Sequence, residues 1–215
     1  MITIFLLCGW YYLVLARPSL QGTVIVLNGP SGSGKSSIQR EFQHLMMPNL
    51  WVKVGIDNLF DSVMPDITSD NLSFWQSSNP IRWVENTTDR NKPIITLFTG
   101  QEGEKVAYAM NSAIASYAET GCNVIVDYIA YKQSWFADLQ YKLRGTPTYY
   151  VAVKLPLATL EKREAARATS PQGHGRSHYN TVYGDKEYDL TLDTEKYTAP
   201  TLAKQLQHFL KQQKK

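Results

Sequence analysis

The most specific chemistry in the chain sits in Gly29-Pro30-Ser31-Gly32-Ser33-Gly34-Lys35-Ser36, a complete G-x-x-x-x-G-K-[ST] pattern. Glycines at these intervals let a loop wrap a phosphate, so that main-chain N–H groups and the N-terminus of the next helix converge on the anion. On this reading the stretch from Gly29 through Ser36 to Ser37 binds a nucleotide, Lys35 reaches the β- and γ-phosphates, and Ser36 ligates Mg²⁺. The cofactors expected are ATP and Mg²⁺. The class is narrowed by two misses. Asn91-Lys92-Pro93-Ile94 fails the N-K-x-D pattern for guanine at its last residue, and Tyr128 stands after Asp127 where many hydrolytic motors carry Glu.

Two carboxylates are placed to work with that loop. Asp127 ends an apolar run and can hold the Mg²⁺ shell, or else only cap the next turn. Asp57 follows Gly55-Ile56 at the end of another run. Ligands of open parallel sheets lie outside the carboxyl ends of the strands, so Asp57 can take the proton of an alcohol attacking the γ-phosphate. Its alternative role is a helix N-cap. Asp61, four residues on, shares a helix face with it.

Arg163 and Arg167 are also four apart and face one way, and Arg176 and Lys186 follow in or beyond a glycine-rich stretch. Guanidinium groups on a mobile cover can neutralise a transferring phosphoryl group; the alternative is a solvated face shared with Glu161 and Glu164. His174 and His178 sit in a Gly/Pro context where no helix is expected, which argues against a metal pair. Trp75, Trp83, Phe74 and Tyr128 can line an apolar acceptor pocket or simply pack in the core.

These residues need a frame. The run Thr23–Leu27 is β-branched and predicts a buried parallel strand, followed by a helix over Lys35–Met46. Strands are expected over Trp51–Ile56, Asn123–Asp127, Thr148–Val153 and Glu187–Asp193. Helices are expected over Glu102–Thr120, Lys132–Leu143, Leu157–Ala168 and Ala199–Lys211. Alternation of this kind implies an α/β chain, a three-layer P-loop NTPase fold with a mostly parallel five-stranded sheet and a helical lid. The segments Asp66–Thr99 and Thr169–Gly184 fall outside the rhythm and read as functional lids or binding loops, or else as disordered stretches.

Composition bounds the rest. With 215 residues, 43% hydrophobic and 19% charged, the chain has ample material for one core with elaborations, which excludes a disordered chain. Cys8 and Cys122 exclude a disulfide framework, and a net charge of +3 gives no nucleic-acid signature. Residues 2–16 are uncharged and mostly apolar, so residues 1–21 form an N-terminal extension ahead of a 22–215 domain. Short membrane anchor, export signal and packed extension are its three readings.

The strings GTVIVLNGPSGSGKSSIQREFQ, VGIDNLFDSVMP, GCNVIVDYI, LEKREAARATSPQGHGRSH and YDLTLDTE together resemble the chloramphenicol phosphotransferase-like proteins, over most of the chain from about Gly22. The P-loop is common to many kinases. More particular is G-[VI]-D-x-[LF]-x-D-x-x-P, here Gly55 to Pro65 with one extra residue before the proline. The resemblance implies an ATP-dependent kinase for a small-molecule hydroxyl, with chloramphenicol's primary alcohol as the acceptor in the family type member. It places the catalytic aspartate on Asp57, the P-loop roles on Lys35 and Ser36, and the lid arginines on Arg163, Arg167 and Arg176. The leader lies outside the family core, and no family string matches Asp66–Thr99. A nucleotide-sugar kinase of toxin type and a non-catalytic ATP-binding module tethered at a membrane are the competing functions. The need for ATP favours the cytoplasm, with residues 2–16 as the point of any membrane contact; the partner expected is a small hydroxyl compound, with no nucleic acid. The sequence is silent on oligomeric state.

Overall fold

The computed structural model describes residues 21–56, 64–89, 92–167 and 171–213. Its centre is β1 (Val24–Asn28), five consecutive buried residues. A strand buried on both faces must be apolar throughout, and Val-Ile-Val-Leu meets that need. Strand β1 lies between β5 (Asn123–Tyr128) and β6 (Thr148–Lys154). The outer strands are β2 (Trp51–Gly55) and β7 (Leu190–Asp193), giving the order β2-β5-β1-β6-β7 with every pairing parallel.

Successive side chains of β1 separate the two cores. Val24 and Val26 pack with Met110, Ile114 and Ala118 of α3 (Gln101–Glu119) and with Phe136 and Leu139 of α4 (Gln133–Lys142). Ile25 and Leu27 face Ile38 and Phe42 of α1 (Lys35–Met46), together with Leu202, Leu206 and Leu210 of α7 (Ala199–Gln213). Helices therefore cover both faces, the three-layer architecture expected from the alternating sequence. Register brings the working ends level: Leu27 and Gly55 both pair with Asp127.

Four expectations need correction. The helix expected through Ala168 ends at Ala165 as α5 (Leu157–Ala165), and the last strand starts at Leu190 rather than Glu187. The stretch Asp66–Thr99 is not a structureless loop. It holds a short helix, α2 (Leu72–Gln76), and an antiparallel pair, β3 (Ile81–Asp89) with β4 (Lys92–Thr99), which forms a second sheet. Pro80 precedes this pair and Pro93 lies near the start of its second strand, so neither proline interrupts it. Within Thr169–Gly184, Gly173 at φ +89° opens one turn of helix, α6 (His174–His178). Both histidines are buried on it, although the Gly/Pro context argued against a helix there. Among the described residues no helix is long and apolar enough to cross a membrane. The readings placed on residues 2–16 lie outside the described residues.

Candidate active site

Strand β1 ends at Asn28 and α1 begins at Lys35, so the phosphate loop spans the gap between a sheet edge and a helix N-terminus. Gly32 and Gly34 adopt φ +81° and +97°, a left-handed backbone that side chains resist. The Lys35 ammonium is buried and donates to the carbonyls of Gly29 and Pro30, each at 2.9 Å, while Asp127 Oδ1 lies 3.4 Å away. Ser36 donates its hydroxyl to Asp127 Oδ2 at 2.5 Å. A hydroxyl and a carboxylate side by side form a hard oxygen donor set, the kind that suits Mg²⁺.

Arg163 donates to Thr194 Oγ1 at 3.1 Å and to the Thr194 carbonyl at 2.7 Å. Together with Arg167, Gly34, Ser37, Thr194 and Tyr197 it lines a hollow of about 240 Å³ beside the start of α1. Arg176 is elsewhere. It pairs with Glu161 and lines a separate hollow with Pro93, Gln172 and Gly173. The structure thus joins Arg163 and Arg167 and sets Arg176 apart from them. Lys186 is apart as well, bonded to Gln133 with its ammonium 4.6 Å from the centre of the Phe136 ring. Asp57 and Asp61 lie outside the described residues; Ile56, the residue before Asp57, is buried.

Glu164 gives the cover its shape. Its carboxylate is buried and accepts the N–H groups of Gly173 at 2.8 Å and Gly175 at 2.7 Å, tying α6 to α5. That anchoring places His178 against the phosphate loop, where Nε2 accepts the Ser31 N–H at 3.1 Å. His174 Nε2 lies 2.9 Å from the Tyr131 hydroxyl, and the Trp83 ring meets His174 edge-on at 4.2 Å. Burial, with the Lys35 charge second, lowers the His174 pKa to about 4. Burial, then His174 and Lys35, holds His178 well below the ordinary range, so both rings are neutral near pH 7.

Tyr131 and Trp83 are also walls of a cavity of about 340 Å³, completed by Trp75, Ile81, Leu97, Met64 and others, with Asp66 and Arg82 as its charged members. Arg82 is held by the Ser77 carbonyl at 2.6 Å and by the Phe98 ring at 4.2 Å. Trp75 and Trp83 thus line the cavity, whereas Phe74 is outside it and half-exposed. Tyr128 is fully buried and donates to Asn111 Oδ1 at 3.2 Å; burial pushes its hydroxyl pKa up, and it belongs to the core. Sequence reasoning assigned no role to Tyr131, and it weighed the two histidines only as a metal pair, which it disfavoured. Among the described residues, no cluster of three or more His, Cys, Asp and Glu is arranged to hold a metal ion. Their i,i+4 spacing was the available signal, and the missing piece was the left-handed Gly173 that makes a helical turn there.

A family profile described as chloramphenicol phosphotransferase-like protein matches residues 22–211. Two proteins from Mycobacterium tuberculosis strains, named provisionally as O-phosphotransferases, are 28% identical over 191 residues, covering 86% of this chain and 81% of theirs. Among solved structures, the Mycobacterium tuberculosis APS kinase in complex with AMPPNP and APS superposes with a TM-score of 0.59 at 19% identity, over 89% of this chain and 98% of that one. A gluconokinase from Sinorhizobium meliloti 1021 does so with a TM-score of 0.55 at 16% identity, over 90% and 93%. These superpositions establish the P-loop kinase fold.

Proposed function

Because the chain belongs to the chloramphenicol phosphotransferase-like family of P-loop kinases, we propose that it transfers the γ-phosphate of ATP to a hydroxyl of a small, largely apolar molecule. The observation that carries this reading is a shared wall. Tyr131 lines an aromatic cavity and touches His174, and the neighbouring His178 bonds the phosphate loop at Ser31. An acceptor in that cavity would lie beside the triphosphate, the proximity that phosphoryl transfer chiefly requires.

Roles follow from position. The base and ribose of ATP would occupy the hollow beside Ser37 and Tyr197, with Arg163 and Arg167 at its edge. Ser36 and Asp127 would hold Mg²⁺, which when bound neutralises charge on the phosphate oxygens. Lys35 would turn from the Gly29 and Pro30 carbonyls toward the β- and γ-phosphates. Asp57 is the proposed general base: Gly55, two residues before it, is in register with Asp127. The alcohol oxygen bonds the γ-phosphorus, the bond to the β-phosphate oxygen breaks to release ADP, and the alcohol proton passes to the Asp57 carboxylate. Arg176, paired with Glu161, would shape the cover rather than meet the phosphate.

The test is direct. Purified protein with Mg²⁺ and ATP is offered a panel of apolar alcohols that includes chloramphenicol, and products are read by mass spectrometry. Gain of one phosphate on a panel member supports the reading, and no product across the panel defeats it. Asp57→Asn should lower the transfer rate by about 10²–10⁴-fold; an unchanged rate removes Asp57 from the base role.

A further inference from the structure

The phosphate loop is anchored at both ends, by the sheet through Asn28 and by α1 from Lys35 onward. Between them the Pro30 carbonyl accepts the Ser33 N–H at 3.1 Å and the Lys35 ammonium at 2.9 Å, which hold the carbonyl side of the Pro30–Ser31 peptide, while its N–H side is met from outside the loop. His178 is the neighbour that takes its N–H.

The hydrogen bonds around that imidazole agree on one tautomer. To accept from Ser31, Nε2 must be unprotonated, which puts the ring proton on Nδ1. Nδ1 lies 3.2 Å from Ser177 Oγ, an acceptor for that proton, and the Ser177 hydroxyl in turn donates to the His174 carbonyl at 2.7 Å. Close packing keeps the ring in place. His178 is buried, the Tyr131 and His174 rings lie 4.9 and 4.8 Å from it, and α6 presses its backbone against the loop. A Cβ on Gly175 would stand 2.9 Å from the Ser31 carbonyl oxygen and 2.5 Å from Leu160 Cδ2. The end of the loop in question is the outer one: the Lys35 ammonium, which serves the β- and γ-phosphates, rests on the Gly29 and Pro30 carbonyls immediately before Ser31.

We propose that His178 is a positioning residue for the terminal phosphate: by accepting the Ser31 N–H it holds the N–H side of the Pro30–Ser31 peptide, which stays pinned when Lys35 turns from the Pro30 carbonyl to the phosphates, and so sets the seat of the γ-phosphate next to Lys35. The inference rests on the kinase reading above, and it says more. It predicts that one side chain on the cover separates triphosphate from diphosphate binding, because the β-phosphate is held by the helix end of the loop, which His178 does not touch.

The probes are ADP and the non-transferable triphosphate AMPPNP, titrated calorimetrically into the full chain. Glutamine can place its amide oxygen near the position of Nε2, whereas asparagine is too short. His178→Asn should therefore weaken AMPPNP by about 3- to 10-fold and leave ADP within about 2-fold, the scale of one lost hydrogen bond. His178→Gln should stay within about 2-fold of the unaltered protein for both. Both replacements are polar and smaller than histidine, and if His178→Asn fails to fold, His178→Gln alone decides. AMPPNP binding lost selectively in His178→Gln, or equal AMPPNP affinities in the two variants, overturns the proposal. So does a parallel loss of ADP and AMPPNP. Should the unaltered protein bind neither nucleotide, the kinase reading itself has failed, a different result from nucleotide binding that is indifferent to residue 178.

Discussion

The proposed phosphate end and the proposed acceptor end of the site are built by opposite means. At the phosphate end the working groups are main-chain amides and three side chains, Lys35, Ser36 and Asp127, locked together by short contacts over strands that are almost wholly inaccessible. At the acceptor end the working surface is side chains on a two-stranded sheet and a short helix outside the main sheet, with Trp83 46% exposed and Ile67 63% exposed. The first arrangement fixes where a reaction occurs. The second can change its lining without disturbing the strands beneath, which is how one fold serves many acceptors.

The sharpest way to test that division is to strike the phosphate end. Lys35→Met removes the cation that rests on the loop carbonyls and leaves Asp127 without its partner at 3.4 Å. Transfer should fall by about 10³-fold with every acceptor alike, measured as kcat/KM over the panel. A loss confined to some acceptors would mean that the two ends are not separate.

How far this was legible in the sequence follows the same division. The P-loop, the strand before it and the carboxylate at the end of β5 were readable because backbone phosphate chemistry demands particular residues at fixed spacing. The antiparallel pair was missed: Trp83 and Trp75 stood out, but the pairing of Ile81 with Thr99 is a contact between distant residues that no local pattern encodes. The α6 turn was hidden for another reason. Its stability comes from tertiary bonds, the Glu164 carboxylate on the N–H groups of Gly173 and Gly175, rather than from helix-forming residues. Arg163 and Arg176 were grouped by charge, and only their partners, Thr194 and Glu161, tell them apart.

The joint between the two ends is Gly173, at φ +89°, where a Cβ would fall 2.0 Å from the Pro93 carbonyl oxygen of β4. Gly173→Ala should cost about 2–3 kcal/mol from strain and backbone clash, lowering Tm by about 5–10 °C. Acceptor KM should rise more than ATP KM, because the clash pushes on the second sheet; equal changes would show that the sheet is not carried by this contact. A smaller, cleaner effect is expected from Trp83→Ala. The half-exposed ring lies against His174 and lines the cavity, so acceptor KM should rise about 10-fold while ATP KM holds steady. If ATP binding falls equally, the ring serves the nucleotide as well.

The gentlest probe of the shared wall is acid. His174 titrates near 4 in the folded chain because burial, with Lys35 nearby, disfavours its cation, and among the described residues its Nδ1 has no hydrogen-bond partner. The unfolded chain holds that imidazole at about 6.5, so between pH 6.5 and 4 the unfolded state binds more protons than the folded one. Stability from this group is therefore complete above pH 6.5 and drains away as pH falls toward 4. At pH 5.5 it should be lower by about 1 kcal/mol than at pH 7.5, seen as a lower Tm. His174→Phe keeps an aromatic ring among Trp83, Tyr131 and His178 but cannot titrate, so its melting temperature should fall less over the same interval. An identical slope in the two proteins would place the acid sensitivity elsewhere, and would mean that the wall between acceptor and phosphate is not held together by a neutral histidine at this position.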